Sequence, residues 1–321
     1  MDQRLEKLQQ TYQQLVNAVS WSVDKQILLI VASYYASTGK EFNATRYLNA
    51  IDMIKKEAKW YSPLRGHLMY SMAAFVEGEA DLRAAIHELI TNEAILKEAK
   101  FKRSEYSYLA SLFLTNELSE KTAHANRARV LYEAIRGQHP FLTSFEDIPF
   151  VVLLSKKEED MQVKAETMNR YYKELRTYQF QTGNYLQWLS QLLTLHNSQY
   201  DNSLVPAIVN IRDELKNNGL KIKAEHYPLL GVLALMRATK ENVMNILSRY
   251  NELKNIKLFK WYRNMALSVA IQFETHQFIE VNDSLTVSLL ASLEMMLQAQ
   301  QAVMIAACTA AVAASNNNAS D

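Results

Sequence analysis

A single cysteine, Cys308, in 321 residues excludes an intramolecular disulfide. Only 7 Gly and 5 Pro leave too little turn punctuation for an all-β chain. Charge of one sign is also missing: 35 Lys and Arg stand against 34 Asp and Glu, a formal net charge of +1. That balance removes the global basic excess a non-specific nucleic-acid binder relies on, and no nucleic-acid motif replaces it. Apolar runs are short. Ile27 to Ala36 is too brief to cross a bilayer, as is Ala302 to Ala314, against the roughly 20 residues a span requires. The opening MDQRLEKLQQTYQQ is too polar for a secretory signal, so a cytoplasmic protein without a membrane partner is expected.

What is present reads as all-α. Hydrophobic residues make up 49% and charged residues 21%, enough for an ample core. Leu5, Leu8, Tyr12, Leu15 and Val19 step by three and four, predicting a one-faced helix over 2–19. Asp24 can cap a second helix through Tyr35 that stops at Gly39. From Thr45 a two-helix unit recurs, most legibly over Val205 to Leu235. There an amphipathic helix ends at Lys216 to Gly219, and a densely apolar one begins at Tyr227.

Its marker is an aliphatic residue and a base, with an apolar or aromatic residue five beyond the aliphatic one. Leu96-Lys97 leads to Phe101, Leu175-Arg176 to Phe180, Leu215-Lys216 to Leu220 and Leu253-Lys254 to Leu258. Degenerate copies start at Lys55 and at Ile135-Arg136, so the markers fall at 55, 96, 135, 175, 215 and 253. The near-constant interval predicts an α-solenoid of about six helical hairpins with a period of about 40 residues, of the tetratricopeptide or HEAT kind. The tetratricopeptide signature itself is absent. The expected layout is one domain over 1–321: capping helices in 1–43, hairpins in 44–282, a long Ala-rich helix in 283–314 and a disordered tail in 315–321. That last helix is expected to cap the final hairpin, with self-association through its small residues as a second use.

Ser37 to Phe42 (STGKEF), His139 to Thr143 (HPFLT), Asn218 to Lys221 (NGLK) and the Ala-rich C-terminus resemble the bacterial family numbered 4003 among domains of unknown function, over the full length. The resemblance implies no activity, cofactor or catalytic residue.

Searching for chemistry yields little. The 7 histidines are scattered, and His87-Glu88 lacks the second histidine of a helical zinc motif. Thr38-Gly39-Lys40 lacks the upstream glycine of a phosphate loop. Glu225 and His226 are read as adjacent helix positions that point in different directions, and Glu158-Glu159-Asp160 as an acidic helix start or a solvated turn, neither as a site, and Cys308 has no base near it in sequence. No cofactor, metal or enzymatic activity is therefore expected.

Charge is nonetheless distributed unevenly. The six turns inside the hairpins sum to +11 and the six between hairpins to -6. In a solenoid these turns form opposite edges, so one edge should be basic. The candidate partner-binding residues are Lys55, Lys56, Lys59 and Arg65, then Lys97, Lys100, Lys102 and Arg103, then Lys254, Lys257, Lys260 and Arg263, flanked by Trp60, Tyr61, Trp261 and Tyr262. Bases at helix C-termini also complement helix dipoles, a competing explanation for the first member of each set. The function these features suggest is a non-catalytic scaffold that offers a groove and a basic edge to a protein, peptide or other anionic partner. An α/α-toroid enzyme with a central cleft is the alternative.

Overall fold

The computed structural model describes residues 3–21, 23–195, 197–260, 262–281, 297–299 and 301. These residues form an all-α fold without a strand. Contacts divide the chain into two units, one built from residues up to Ala94 with Lys102–Leu112 and the described C-terminal residues, the other from Ile95–Phe101 and from Phe113 onward.

In the first unit, α1 (Gln3–Ala18) packs on α2 (Lys25–Thr38) and α3 (Ala44–Glu57), and α4 (Leu68–Val76) packs on α2, α3 and α6 (Glu105–Ser111). The spacing of Leu5, Leu8, Thr11 and Leu15 gives α1 one buried stripe. Asp24 accepts the Gln26 N–H at 2.8 Å and Gly39 is left-handed (φ 68°), so α2 starts and stops where the sequence indicates. Most of α5 (Leu82–Glu98) also belongs here; its last turn enters the second unit. Of the Ala-rich stretch 283–314, all but residues 297–299 and 301 lies outside the described residues. Gln298 lies beside Ile30, Val31 and Tyr34 of α2 and Ser71, Ala74 and Phe75 of α4, so this described turn belongs to the first unit.

The second unit holds α7 (Lys121–Gln138), α8 (Ile148–Leu154), α9 (Met161–Thr177), α10 (Asn184–Leu192), α11 (Leu204–Asn217), α12 (Tyr227–Leu235), α13 (Lys240–Asn255) and α14 (Arg263–Val281). Consecutive odd-numbered helices touch, as do consecutive even-numbered ones, and each odd helix packs on the even one that follows it. Composition explains the two rows. Helices α7, α9, α11 and α13 carry polar exposed faces, whereas every residue of α8 and α12 is buried, which suits an inner row covered on all sides.

The recurring sequence marker has a backbone cause in three of its copies. At Leu96 to Phe101 the Phe101 N–H reaches the Leu96 carbonyl at 3.1 Å, with Lys100 left-handed (φ 69°). Leu175 to Phe180 repeats this at 3.4 Å with Gln179 (φ 64°), and Leu215 to Leu220 at 3.1 Å with Gly219 (φ 85°). This is the Schellman helix ending, in which the apolar residue after the left-handed one covers the last turn. The copy at Leu253 departs from it, since Ile256 is extended and closes on Leu253 instead. A lysine or glutamine in the left-handed region carries steric cost that glycine avoids. Lys100→Gly and Gln179→Gly should therefore each raise the unfolding free energy by about 0.5 kcal/mol, while Lys97→Gly, inside α5, should lower it by about 1 kcal/mol. Urea titrations of the three variants decide; a loss of equal size at all three positions would refute these helix ends.

Candidate binding surface

Each short inner helix begins in a turn, and the candidate residues lie in or beside these turns. In the first unit, Lys55 and Lys56 end α3 and Lys59, Trp60 and Tyr61 follow in the turn. Ser62 then caps the 3-10 turn Pro63–Arg65 and donates to the Tyr108 hydroxyl at 3.0 Å, tying this turn to α6. Glu105 at the start of α6 accepts the Leu68 N–H at 3.2 Å, and its carboxylate fills the space that a side chain at Gly66 would need. These ties bring the Lys59 and Arg103 charges into the surroundings of Tyr108. Lys102 and Arg103, the part of the second sequence patch that belongs to this unit, therefore share one region with the first patch.

Exposed aromatics mark that region. Trp60 is 82% exposed and Tyr61 56%, their rings edge to face at 5.5 Å, with Lys59 over the Tyr61 ring at 5.9 Å. Lys56, Lys59 and Lys102 are exposed and Arg65 is half-buried. Lys55 has Asp52 at 3.9 Å, an exposed pair worth little. Arg103 differs from the rest. Its guanidinium holds the buried Glu93 through Nε at 2.9 Å and Nη2 at 2.8 Å, and the Ser107 hydroxyl adds a third donor at 3.3 Å. That arginine neutralises an internal carboxylate, and its charge is committed.

In the second unit Lys97 and Lys100 stand exposed at the end of α5, and Lys254, Lys257, Lys260 and Arg263 are exposed between α13 and α14. Trp261 lies outside the described residues. The intervening turns expose Phe141 (99%) and Tyr178 (41%) beside Arg136 and Arg176.

Buried polar groups were not legible in the sequence as a set. Asp147 is fully enclosed: Oδ2 accepts the Ser144 N–H at 2.8 Å, and Oδ1 accepts the Gln187 and Gln191 amides at 2.9 Å each. Burial pushes its carboxyl up to about 6, partly countered by those three donors. His124 is likewise buried, its Nδ1 accepting the Thr115 N–H at 3.1 Å and its Nε2–H donating to the Val152 carbonyl at 2.8 Å, and burial pushes it down to about 4. His226 takes the Lys223 N–H at 3.0 Å and has the Glu225 carboxylate 3.9 Å from Nε2. Asp160 receives the Gln162 and Val163 N–H groups, which makes it a helix start, one of the two readings the sequence left for Glu158-Glu159-Asp160. Among the described residues no group of three His, Cys, Asp or Glu could hold a metal ion, and no helix is long and apolar enough to cross a membrane.

A regularity hidden in these contacts could have been found by counting. Ser107, Asp147 and His226 each accept the N–H of the residue three before them, and Gln187 stands at the same step in the series 107, 147, 187, 226. Tyr108 and Tyr227, one residue on, each bond to a turn 46 residues earlier, at Ser62 and Gln181.

The same stretch of chain is recognised by comparison. Residues 11–302 match the family described as "Protein of unknown function (DUF4003)". The chain belongs to this family. It is also similar to "Uncharacterized protein YeaA" of Bacillus subtilis (strain 168), with 28% identity over 315 residues that cover 96% of this chain and 94% of that protein. No solved structure matches. The stretches that carried the family resemblance are helix ends: STGKEF holds left-handed Gly39, HPFLT follows α7, and NGLK holds left-handed Gly219.

Proposed function

We propose that the chain is a non-catalytic, cytoplasmic helical-repeat scaffold whose lysine-rich turns dock an acidic peptide or protein segment. The carrying observation is the exposure of Trp60 and Tyr61 among Lys56, Lys59 and Lys102. Large aromatics left in water beside cations are unusual on a surface with no partner, and they suit a binding hot spot. The repeat reading draws support from the two rows of helices in the second unit and from the polar position recurring at 107, 147, 187 and 226. An enzyme would look to Asp147 as its acid or base, but both oxygens of that residue are taken and it is 1% exposed.

Selection of peptides from a displayed random library against the full chain tests the proposal. Enriched peptides should be acidic and lose affinity steeply as salt rises, because exposed charges are screened over roughly 8 to 10 Å. Trp60→Ala with Lys59→Glu should weaken them on the order of tenfold or more while melting stays unchanged. The triple reversal of Lys257, Lys260 and Arg263 to Glu reports whether the second unit takes part. Peptides without acidic enrichment, or undiminished binding in all of these variants, would refute the docking surface.

A further inference from the structure

A second site stands apart from the lysine-rich turns, at the opposite ends of the inner helices of the second unit. There α12 ends in a Schellman turn, the Ala238 N–H closing on the Leu233 carbonyl at 2.9 Å, with Arg237 in the left-handed position (φ 54°) that glycine holds at 39 and 219. Its side chain lines a cleft of about 720 Å³, within the 300 to 1,000 Å³ range of small-molecule sites. Arg237 is exposed; its backbone N–H closes on the Ala234 carbonyl at 3.0 Å, while its guanidinium makes no hydrogen bond or ion pair with any described residue.

The rest of the cleft complements it. Asp201 lies on the wall, fixed by its backbone: its N–H donates to the Tyr171 hydroxyl at 2.7 Å and its carbonyl accepts from that hydroxyl at 3.3 Å. Its Oδ1 accepts the Ser203 N–H at 2.8 Å and hydroxyl at 2.6 Å. Those bonds, with a smaller contribution from the Arg237 charge, hold the carboxyl below its ordinary range. Asn197 and Gln199 add two amides, with Asn197 Oδ1 accepting the Gln199 N–H at 2.9 Å, and Leu193 and Leu235, largely buried, add apolar lining. One fixed anion, one unengaged cation, amides able to pair with peptide groups and an apolar wall are the chemistry of a short zwitterion with a peptide backbone.

We propose that this cleft binds a short free-ended peptide of two to four apolar residues, its C-terminal carboxylate on the Arg237 guanidinium and its N-terminal ammonium on the Asp201 carboxylate. The occupant is smaller than the segment assigned to the lysine-rich turns and does not depend on that assignment. A charge-assisted pair at each end sets the orientation.

Calorimetric titration of the full chain with dialanine, trialanine and trileucine tests it, together with N-acetylated and C-amidated forms of each. At least one free peptide should bind, and blocking either end should weaken it roughly ten- to a hundredfold. Arg237→Gly should do the same while melting at the same or a higher temperature, because glycine suits the left-handed position. Asp201→Asn keeps the Ser203 acceptor and should lose selectively the preference for a free amine. If no free peptide binds at millimolar concentration, if blocked peptides bind as well as free ones, or if Arg237→Gly binds undiminished, the assignment is wrong.

Discussion

Replacing His124 with alanine is expected to cost the fold about 3 kcal/mol at pH 7 and to remove a loss of stability on acidification. The cost arises because the half-buried Thr115 N–H loses its acceptor, the Val152 carbonyl keeps only the longer Ser155 bonds at 3.3 and 3.4 Å, and a cavity opens where the buried ring stood. The acid response follows from the histidine's low affinity for protons. In the unfolded chain it takes a proton below about pH 6.5, whereas in the native chain it stays neutral to about 4, with burial the main cause and the Arg127 and Lys156 charges adding to it. Its stabilising contribution is thus whole above pH 6.5 and is lost as pH falls through 4, on the order of 3 kcal/mol. Asp147 acts in the opposite direction. Its native carboxyl holds a proton up to about 6, well above the unfolded value near 4, so the ionised group costs stability above pH 6 and the cost disappears on acidification. Glu146 beside it pushes the same way.

Between pH 4 and 6 the two groups offset one another in the parent. Single replacements should uncover them: relative to the parent, His124→Ala becomes less inferior as pH falls from 7 to 4, and Asp147→Asn loses ground. Urea denaturation at pH 7, 5.5 and 4 reads both. Stability profiles that run parallel for the parent and the two variants would remove the basis of this account.

Truncating the leucines that join α11 to α12 should have the other large effect. Leu215 and Leu230 are both 0% exposed, on helices that pack together. Leu215→Ala or Leu230→Ala should each cost about 2 to 5 kcal/mol, set by how far neighbours relax into the cavity. Lys216→Ala, one residue away on the exposed face, should cost a few tenths. Equal losses for lysine and leucine would mean that the faces of α11 are wrongly assigned.

Much of the helical layout was legible because helix ends are local chemistry. The aliphatic-base-apolar marker is readable in sequence since a Schellman turn needs its apolar residue five after the carbonyl it closes on, as at Leu96 and Phe101. Asp24, Gly39 and Asp160 were likewise readable as caps. Arg103 misled because its partner Glu93 lies ten residues upstream across a turn, beyond the three- or four-residue spacing by which helical pairs announce themselves. The Asp147 network and the Arg237 cleft unite residues about 30 to 44 apart, and only a register counted along the inner helices would have aligned them. Phe141, at 99% exposure, shows the converse limit, since an aromatic in a turn reads the same whether buried like Phe101 or bare.

The seating of Gln298 on α2 and α4 has a consequence for synthesis on the ribosome. Ile30 emerges early, yet the residue that comes to lie against it is translated 268 positions later. At roughly 5 to 20 residues per second that interval is on the order of tens of seconds. Throughout it the nascent chain presents Ile30, Val31, Ala74 and Phe75 without this neighbour, so α2 and α4 must hold together on their own contacts until synthesis is nearly complete.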